Sequence, residues 1–339
     1  MKNNVKQTIF FKHKPKIISN YSIVGKKEGE GPLKDYFDHI MKNDLFGEKT
    51  FEKAERKMLE TAIYGAIKKA KLTSNDINCL LSGDLLNQII SASFTARDIE
   101  IPFLGLYSAC STMSESLLVG GILVDGGYLN TVACATTSHF STAEKQYRYP
   151  LELGNQRPPV SQWTVTGSGC CIISKKGSDI SLSNATIGVV TDYGIKDANN
   201  MGAAMAVAAK STLVAHFIET NTTPDDYDLI VTGDLGKLGS DILNDLMEKD
   251  GYTLGKTYHD CGQLIFSKHQ RVYQGGSGAG CSASVLNGYI IPKMQRGEFK
   301  RVLFCATGAL LSTLSTQQGE SIPCICHAIE IIKEDNICG

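Results

Sequence analysis

A chain of 339 residues, 42% hydrophobic and 20% charged, has the composition of a globular protein able to bury one large core or two fused halves. Its formal net charge of −1 excludes chain-wide attraction to nucleic acid and strong long-range steering of anionic ligands. Eleven cysteines, an odd number, form no regular framework. Several of them (Cys79, Cys134, Cys171, Cys305) sit in apolar, strand-like runs, as expected of reduced thiols in a cytosol-like compartment.

The polar start has no apolar signal-like stretch, and its one strongly basic patch, Phe11-Lys12-His13-Lys14-Pro15-Lys16, reads as a solvated leader. The apolar run Leu117–Val124 falls well short of the roughly 20 residues needed to span a bilayer, so membrane association is expected only through a partner. Gly25, Gly29, Gly31 and Pro32 read as turns, with one short helix over residues 35–43.

From Thr50, a suitable cap, Ala54, Met58, Ala62, Ile63, Ala66, Ile67 and Ala70 fall at helical spacing. A strand over 77–82 ends in Ser82-Gly83-Asp84-Leu85; a helix over 88–98 and a strand over 103–107 follow. Then comes Gly105-Leu106-Tyr107-Ser108-Ala109-Cys110-Ser111-Thr112, a tight turn feeding an apolar helix. Free backbone amides and the helix dipole there suit either a thiolate or a bound carboxylate. Beyond lie a strand over 131–137, an irregular stretch over 138–163, strands over 164–174 and 185–192, and a long Ala-rich helix over 202–219.

The second half echoes the first. Thr232-Gly233-Asp234-Leu235 repeats the strand end at Asp84 with an offset of 150 residues, and Cys305-Ala306-Thr307 repeats Cys134-Ala135-Thr136 with an offset of 171. The segment 251–273, with His259 and His269, is the natural place for the extra residues. The spacing predicts two α/β halves, 1–178 and 179–339, whose Gly-rich helix starts meet near a pseudo-twofold axis, with apolar helices between the sheets.

This layout, with Cys110 opening the first half's central helix, resembles the thiolase fold in a five-layer αβαβα arrangement. More closely, nearly the whole chain resembles the stage V sporulation protein AD family of spore-forming Firmicutes. The resemblance is carried by residues 107–112, 133–140, 162–169 and 199–206 and by His259-Asp260-Cys261-Gly262. It implies a dipicolinic acid (pyridine-2,6-dicarboxylate) binding protein of the spore SpoVA transport system. Such a protein supports calcium dipicolinate uptake beside membrane-embedded SpoVA proteins, as a homodimer peripheral to the forespore inner membrane. In ketosynthases of this fold a histidine follows the strand opening the second half's site, and an asparagine lies in the Gly-rich turn. Here those regions read Thr232-Gly233-Asp234 and Gln274-Gly275-Gly276-Ser277-Gly278, with neither.

Loss of proton-shuttling groups typically worth about 10²–10⁴-fold favours binding over turnover. The alternative is an active acyltransferase with Cys110 as nucleophile and His259 beside it. A flat dianion suits helix-terminal amides and charge-assisted donors. The candidate ligand residues are Cys110, Ser111, His139, Arg148, Gln162, Asn200, His259, Gly276 and Ser277, with Arg157 and Trp163 as neighbours. Cys324-x-Cys326-His327 lacks a second ligand pair and no EF-hand spacing is visible, so no metal and no cofactor are expected in the protein itself.

Overall fold

The computed structural model describes residues 6–147 and 157–334. The first half runs β1 (Thr8–Phe10), β2 (Lys16–Val24), β3 (His39–Ile40), α1 (Phe51–Lys69), β4 (Cys79–Gly83), α2 (Ile90–Ile99), β5 (Phe103–Gly105), α3 (Thr112–Asp125), β6 (Thr131–Ser138), α4 (Phe140–Tyr147), β7 (Trp163–Thr164) and β8 (Gly167–Ser174). The second runs β9 (Ile180–Thr186), α5 (Met201–Thr220), β10 (Leu229–Thr232), α6 (Gly236–Lys249), β11 (Tyr258–Asp260), α7 (Cys261–Ile265), β12 (Gly276–Ser277), α8 (Ala279–Val285), α9 (Ile291–Gln295), β13 (Arg301–Ala309), α10 (Thr313–Gln317) and β14 (Cys324–Lys333). A single π-helical turn, Leu286–Ile290, joins α8 to α9.

Hydrogen bonding links the strands in the order β11-β10-β13-β14-β9-β2-β8-β6-β4-β5. The two halves of that path repeat each other. β4 is parallel to β5 and β6, and β8 is antiparallel to β6 and β2. Likewise β10 is parallel to β11 and β13, and β14 is antiparallel to β13 and β9. Along that path the halves meet at β2 and β9, where Lys16 pairs with Ser181, and β1 also crosses to pair with β9.

Three cores explain the layering. Met58, Leu59, Ile63 and Ile67 of α1 and Ala92 and Ala96 of α2 bury against Leu80, Ala133 and Ile172. On the opposite faces of the two half-sheets, Leu81, Cys134 and Ile173 and then Val231, Phe304 and Ile329 enclose Met113 and Leu117 of α3 and Cys281, Val285 and Met294 of α8–α9. Outside the second half-sheet, α5 and α6 bury Met205, Leu213, Phe217, Leu243 and Met247 against Ile230, Leu303 and Cys326. These are five layers, αβαβα, with helices stripe-side down on sheet faces. By length and composition α5 could cross a membrane, but its buried residues make it a core helix of this layer.

Several local expectations need correction. Residues 35–43 form a short 3-10 turn and β3 rather than a helix, because Asp38 accepts the Ser22 N–H at 2.9 Å and β3 pairs with β2. The strand expected over 185–192 ends at Thr186; the chain then crosses β14 at Gly188, where a Cβ would lie 1.8 Å from the Cys326 carbonyl oxygen. The stretch 138–163 contains α4, and β7 pairs with β12 across the halves. The basic segment is no leader: Phe11 is buried and the amides of Lys12 and His13 donate to Asp125 at 3.0 and 2.6 Å.

Candidate functional site

β5 delivers the chain to a 3-10 turn, Ala109–Ser111, that opens α3. Ala109 is left-handed (φ +48°), a conformation costing a non-glycine residue about 1–3 kcal/mol. The turn is held against that cost from within. The Ser108 amide donates to Thr112 Oγ1 at 3.1 Å, Thr112 Oγ1 donates to the Ala109 carbonyl at 2.7 Å, and Ser111 Oγ donates to the Ser108 carbonyl at 2.7 Å. Gly308 on β13 lets the turn seat, since a Cβ there would lie 2.3 Å from the Ser108 carbonyl oxygen.

The buried Cys110 thiol hydrogen-bonds the carboxylate of Asp234, which follows β10 in the other half. Asp234 is itself fully buried and also accepts from the Gly278 amide at 2.9 Å, Ser277 Oγ at 3.2 Å and Thr307 Oγ1 at 2.8 Å. Asp260, capping α7, fixes the loop that carries it. Its oxygens accept from Thr232 Oγ1 and the Leu235 amide, both at 2.8 Å, and from the Gly236 amide at 3.0 Å. Burial and then the Asp234 charge push the Cys110 thiol well above its ordinary range, against weaker opposing help from Gly278 and Ser277. Burial also raises Asp234, opposed by its donors, and raises Asp260 to about 7.

The positive end of α8 is therefore occupied by a carboxylate of the protein's own, and the thiol beside it is held protonated. Asp234 is not among the candidates that the sequence offers. The signal that points to it is the repeated strand-end Gly-Asp: Asp84, its counterpart, likewise accepts the Leu86 and Ala92 amides at 2.8 Å each.

Above Cys110 and Ser277 opens a cavity of about 130 Å³, walled by Leu85, Ala143 and Tyr147 on one side and Met201, Ala309 and Leu311 on the other. Its size is comparable to the roughly 150 Å³ engineered cavity that accepts benzene. Glu144, Thr164 and Asn199 supply polar groups on its rim, and among the described lining residues there is no histidine. The first turn of α5 borders it through Met201, and Asn200, the N-cap residue, makes no side-chain cap bond to that turn.

Of the residues singled out in the sequence, Cys110 and Ser277 line the cavity; Asn199 does so in place of its neighbour Asn200. Ser111 is buried behind the turn, bonded to Ser108. His139 is buried with Nε2 2.8 Å from the Asp44 carbonyl and Nδ1 accepting the Ser141 amide at 3.1 Å, and burial lowers its pKa. Gln162 is one layer back: its Nε2 donates to the backbone carbonyls of Asp234 and Gly276. Gly276 belongs to β12, where a Cβ would come 2.9 Å from Val165 Cγ2. His259 lies exposed on the edge strand β11 opposite Val231, and Arg148 falls outside the described residues. Trp163 stacks on Phe140 with centroids 3.9 Å apart, beneath Lys27 and Arg157.

The fold is shared with condensing enzymes. The 3-oxoacyl-[acyl-carrier-protein] synthase III of Aquifex aeolicus VF5 superposes with a TM-score of 0.59 at 12% identity, covering 94% of this chain and 99% of that one. A single-residue variant of Xanthomonas campestris OleA gives 0.61 at 11% identity, covering 95% and 99%. At the level of sequence, residues 5–332 match the family model Stage V sporulation protein AD (SpoVAD). Stage V sporulation protein AD of Bacillus subtilis (strain 168) is 46% identical over 329 residues, which is 97% of each chain. The chain belongs to the stage V sporulation protein AD family, a sporulation family built on the thiolase-like fold.

Proposed function

We propose that the protein binds dipicolinic acid in the cavity above Cys110 and takes no part in acyl transfer. One observation carries this reading: the thiol at the cavity floor is hydrogen-bonded to an internal carboxylate, Asp234, in a space the size of one aromatic ring. An acyl-transfer nucleophile has to be a thiolate. A neighbouring anion opposes that state, and the proton-accepting histidine that condensing enzymes place there has no counterpart among the described lining residues.

Away from Asp234, the cavity suits a small planar acid. Apolar walls from Leu85, Tyr147 and Leu311 meet the ring faces, while the uncapped first turn of α5 offers amides to a carboxylate. Calcium would accompany the ligand rather than occupy a protein cage; among the described residues no cluster of three His, Cys, Asp or Glu has metal-binding geometry. In this reading the protein works with membrane-embedded SpoVA proteins, peripheral to the spore inner membrane and without a span of its own. It is a homodimer, for which the free edge of β5, with Leu104 and Tyr107 exposed, offers a pairing surface. The division into halves 1–178 and 179–339 belongs to the same proposal.

Titration calorimetry with dipicolinate, with benzoate as control, tests the binding. Saturable heat with dipicolinate alone is expected; no heat sinks the proposal. Intact-mass analysis after incubation with acyl-CoA tests the enzymatic alternative, which a stable adduct on Cys110 would establish.

A further inference from the structure

The basic segment at Lys12–Lys14 takes no part in the cavity, and the fold groups it with other cations at the far end of the molecule. Strand register fixes which end this is. Lys16 pairs with Ser174 and Ser181, and Thr131 also pairs with Ser174, so the loops at 11–15, 126–130 and 175–179 gather together. The Cys110 turn follows the opposite strand ends, where Ser82 pairs with Gly105 and Gly83 with Thr136.

One turn ties the group together. Asp125, at the end of α3, accepts the Lys12 and His13 amides, and the Lys175 amide donates to the Asn130 carbonyl at 3.3 Å. Between them Tyr128 stands 77% exposed, more than any other exposed large hydrophobic side chain among the described residues. Lys12, His13, Lys14, Lys175 and Lys176 on the neighbouring loops are all exposed, and none of them forms an ion pair among the described residues; Glu334, which Lys14 also faces electrostatically, is paired with Lys16 at 2.6 Å. The carboxylate of Asp125 is already engaged by two amides.

We propose that this end, Tyr128 together with Lys12, Lys14, Lys175 and Lys176, docks on an anionic lipid bilayer surface. The four strong cations are all lysines, exposed on loops between strands. Flexible lysine stems can settle on a plane of headgroups, whereas rigid forked arginines would favour bidentate phosphate recognition. A tyrosine ring, apolar in body and polar at its tip, suits the headgroup level. The chain as a whole is nearly neutral, 34 basic against 35 acidic residues, so net charge gives no pull towards an anionic surface and binding would report this patch. Docked this way, the cavity end points away from the bilayer.

The inference rests on the reading of the protein as membrane-peripheral, and its test is separate from that of ligand binding. The full chain is sedimented with phosphatidylglycerol-containing vesicles and with pure phosphatidylcholine vesicles, at low salt and at about 0.5 M salt. Binding to the anionic vesicles alone, lost at high salt, is expected. Each lysine is worth about fivefold, so neutralising all four (K12Q, K14Q, K175Q, K176Q) lowers binding several-hundredfold, and Y128A lowers it further. The control K249Q, K256Q changes it little, and dipicolinate heats stay as in the parent. Absence of binding to anionic vesicles, equal binding to both vesicle types, or an unaffected quadruple variant overturns the proposal. So does capture by an acidic protein segment without vesicle binding.

Discussion

Replacing Asp234 by Asn removes the charge that, after burial, does most to hold the Cys110 thiol protonated, while keeping the shape of the side chain. The thiol and the carboxylate interact directly. A unit charge within hydrogen-bond reach in an effective dielectric near 20 is worth about 4 kcal/mol. Donation from Gly278, Ser277, Thr307 and Cys110 favours the ionised form of Asp234. The D234N variant should therefore lower the Cys110 midpoint. It removes the charge assistance from every bond Asp234 accepts and sets an amide donor where one oxygen accepted, at a cost of about 1.5–3 kcal/mol for each bond lost, so folding is checked alongside. The assay is the pH dependence of carboxamidomethylation at Cys110 by iodoacetamide, followed by peptide mass, with a thermal melt to check folding. The parent should stay nearly unreactive at Cys110, and the onset of labelling should move to lower pH in the variant. Superimposable profiles would refute the reasoning, because the thiol would then owe its state to burial alone.

Glu28 is fully buried, with Oε1 accepting the Thr166 amide at 3.0 Å, and burial raises it to about 8. A folded-state value above the unfolded one contributes stability that is complete below about 4.5 and is lost as pH rises through about 8. The loss is at most about 5 kcal/mol. Thermal melts should fall by several degrees from pH 5 to pH 9 in the parent and by less in E28Q, with the variant the more stable at pH 9; parallel slopes argue against it. Gly308→Ala should collide with the Ser108 carbonyl and displace the Cys110 turn, costing about 1–3 kcal/mol in denaturant unfolding and abolishing dipicolinate heat. Cys110→Ala, which loses one thiol but leaves the cavity open, should weaken ligand binding a fewfold, whereas Cys110→Trp should fill the roughly ring-sized space and block it. Equal heats from both variants would move the ligand to another site.

The parts of this molecule legible from its sequence are those with local physical signatures. Thr50 and the spacing of Ala54, Met58, Ala62 and Ala66 define α1, and Thr50 indeed caps it by accepting the Lys53 amide at 3.3 Å. The two Gly-Asp strand ends mark β4 and β10 because a turn and a carboxylate at a helix start recur together. What stays hidden depends on partners distant in the chain. His139 and Gln162 are polar residues that look available for a ligand, yet each is spent on backbone 72 to 114 residues away. α4 is obscured by its polar outer face, since only Ser141, Thr142, Ala143 and Glu144 are buried. The choice between Asn199 and Asn200 turns on a one-residue helix boundary, the least readable feature of any element. Asp234 reads in sequence as part of a missing catalytic motif, whereas its position across the interface from Cys110 gives it a role of its own.

The most direct test of the account is a crystal structure of the protein soaked with pyridine-2,6-dicarboxylate. It should show the ring between Leu85, Tyr147 and Leu311, one carboxylate against the first turn of α5, and Cys110 unmodified and still bonded to Asp234. An empty cavity with the acid bound elsewhere, or an acyl group on Cys110 after a parallel soak with acyl-CoA, would contradict it.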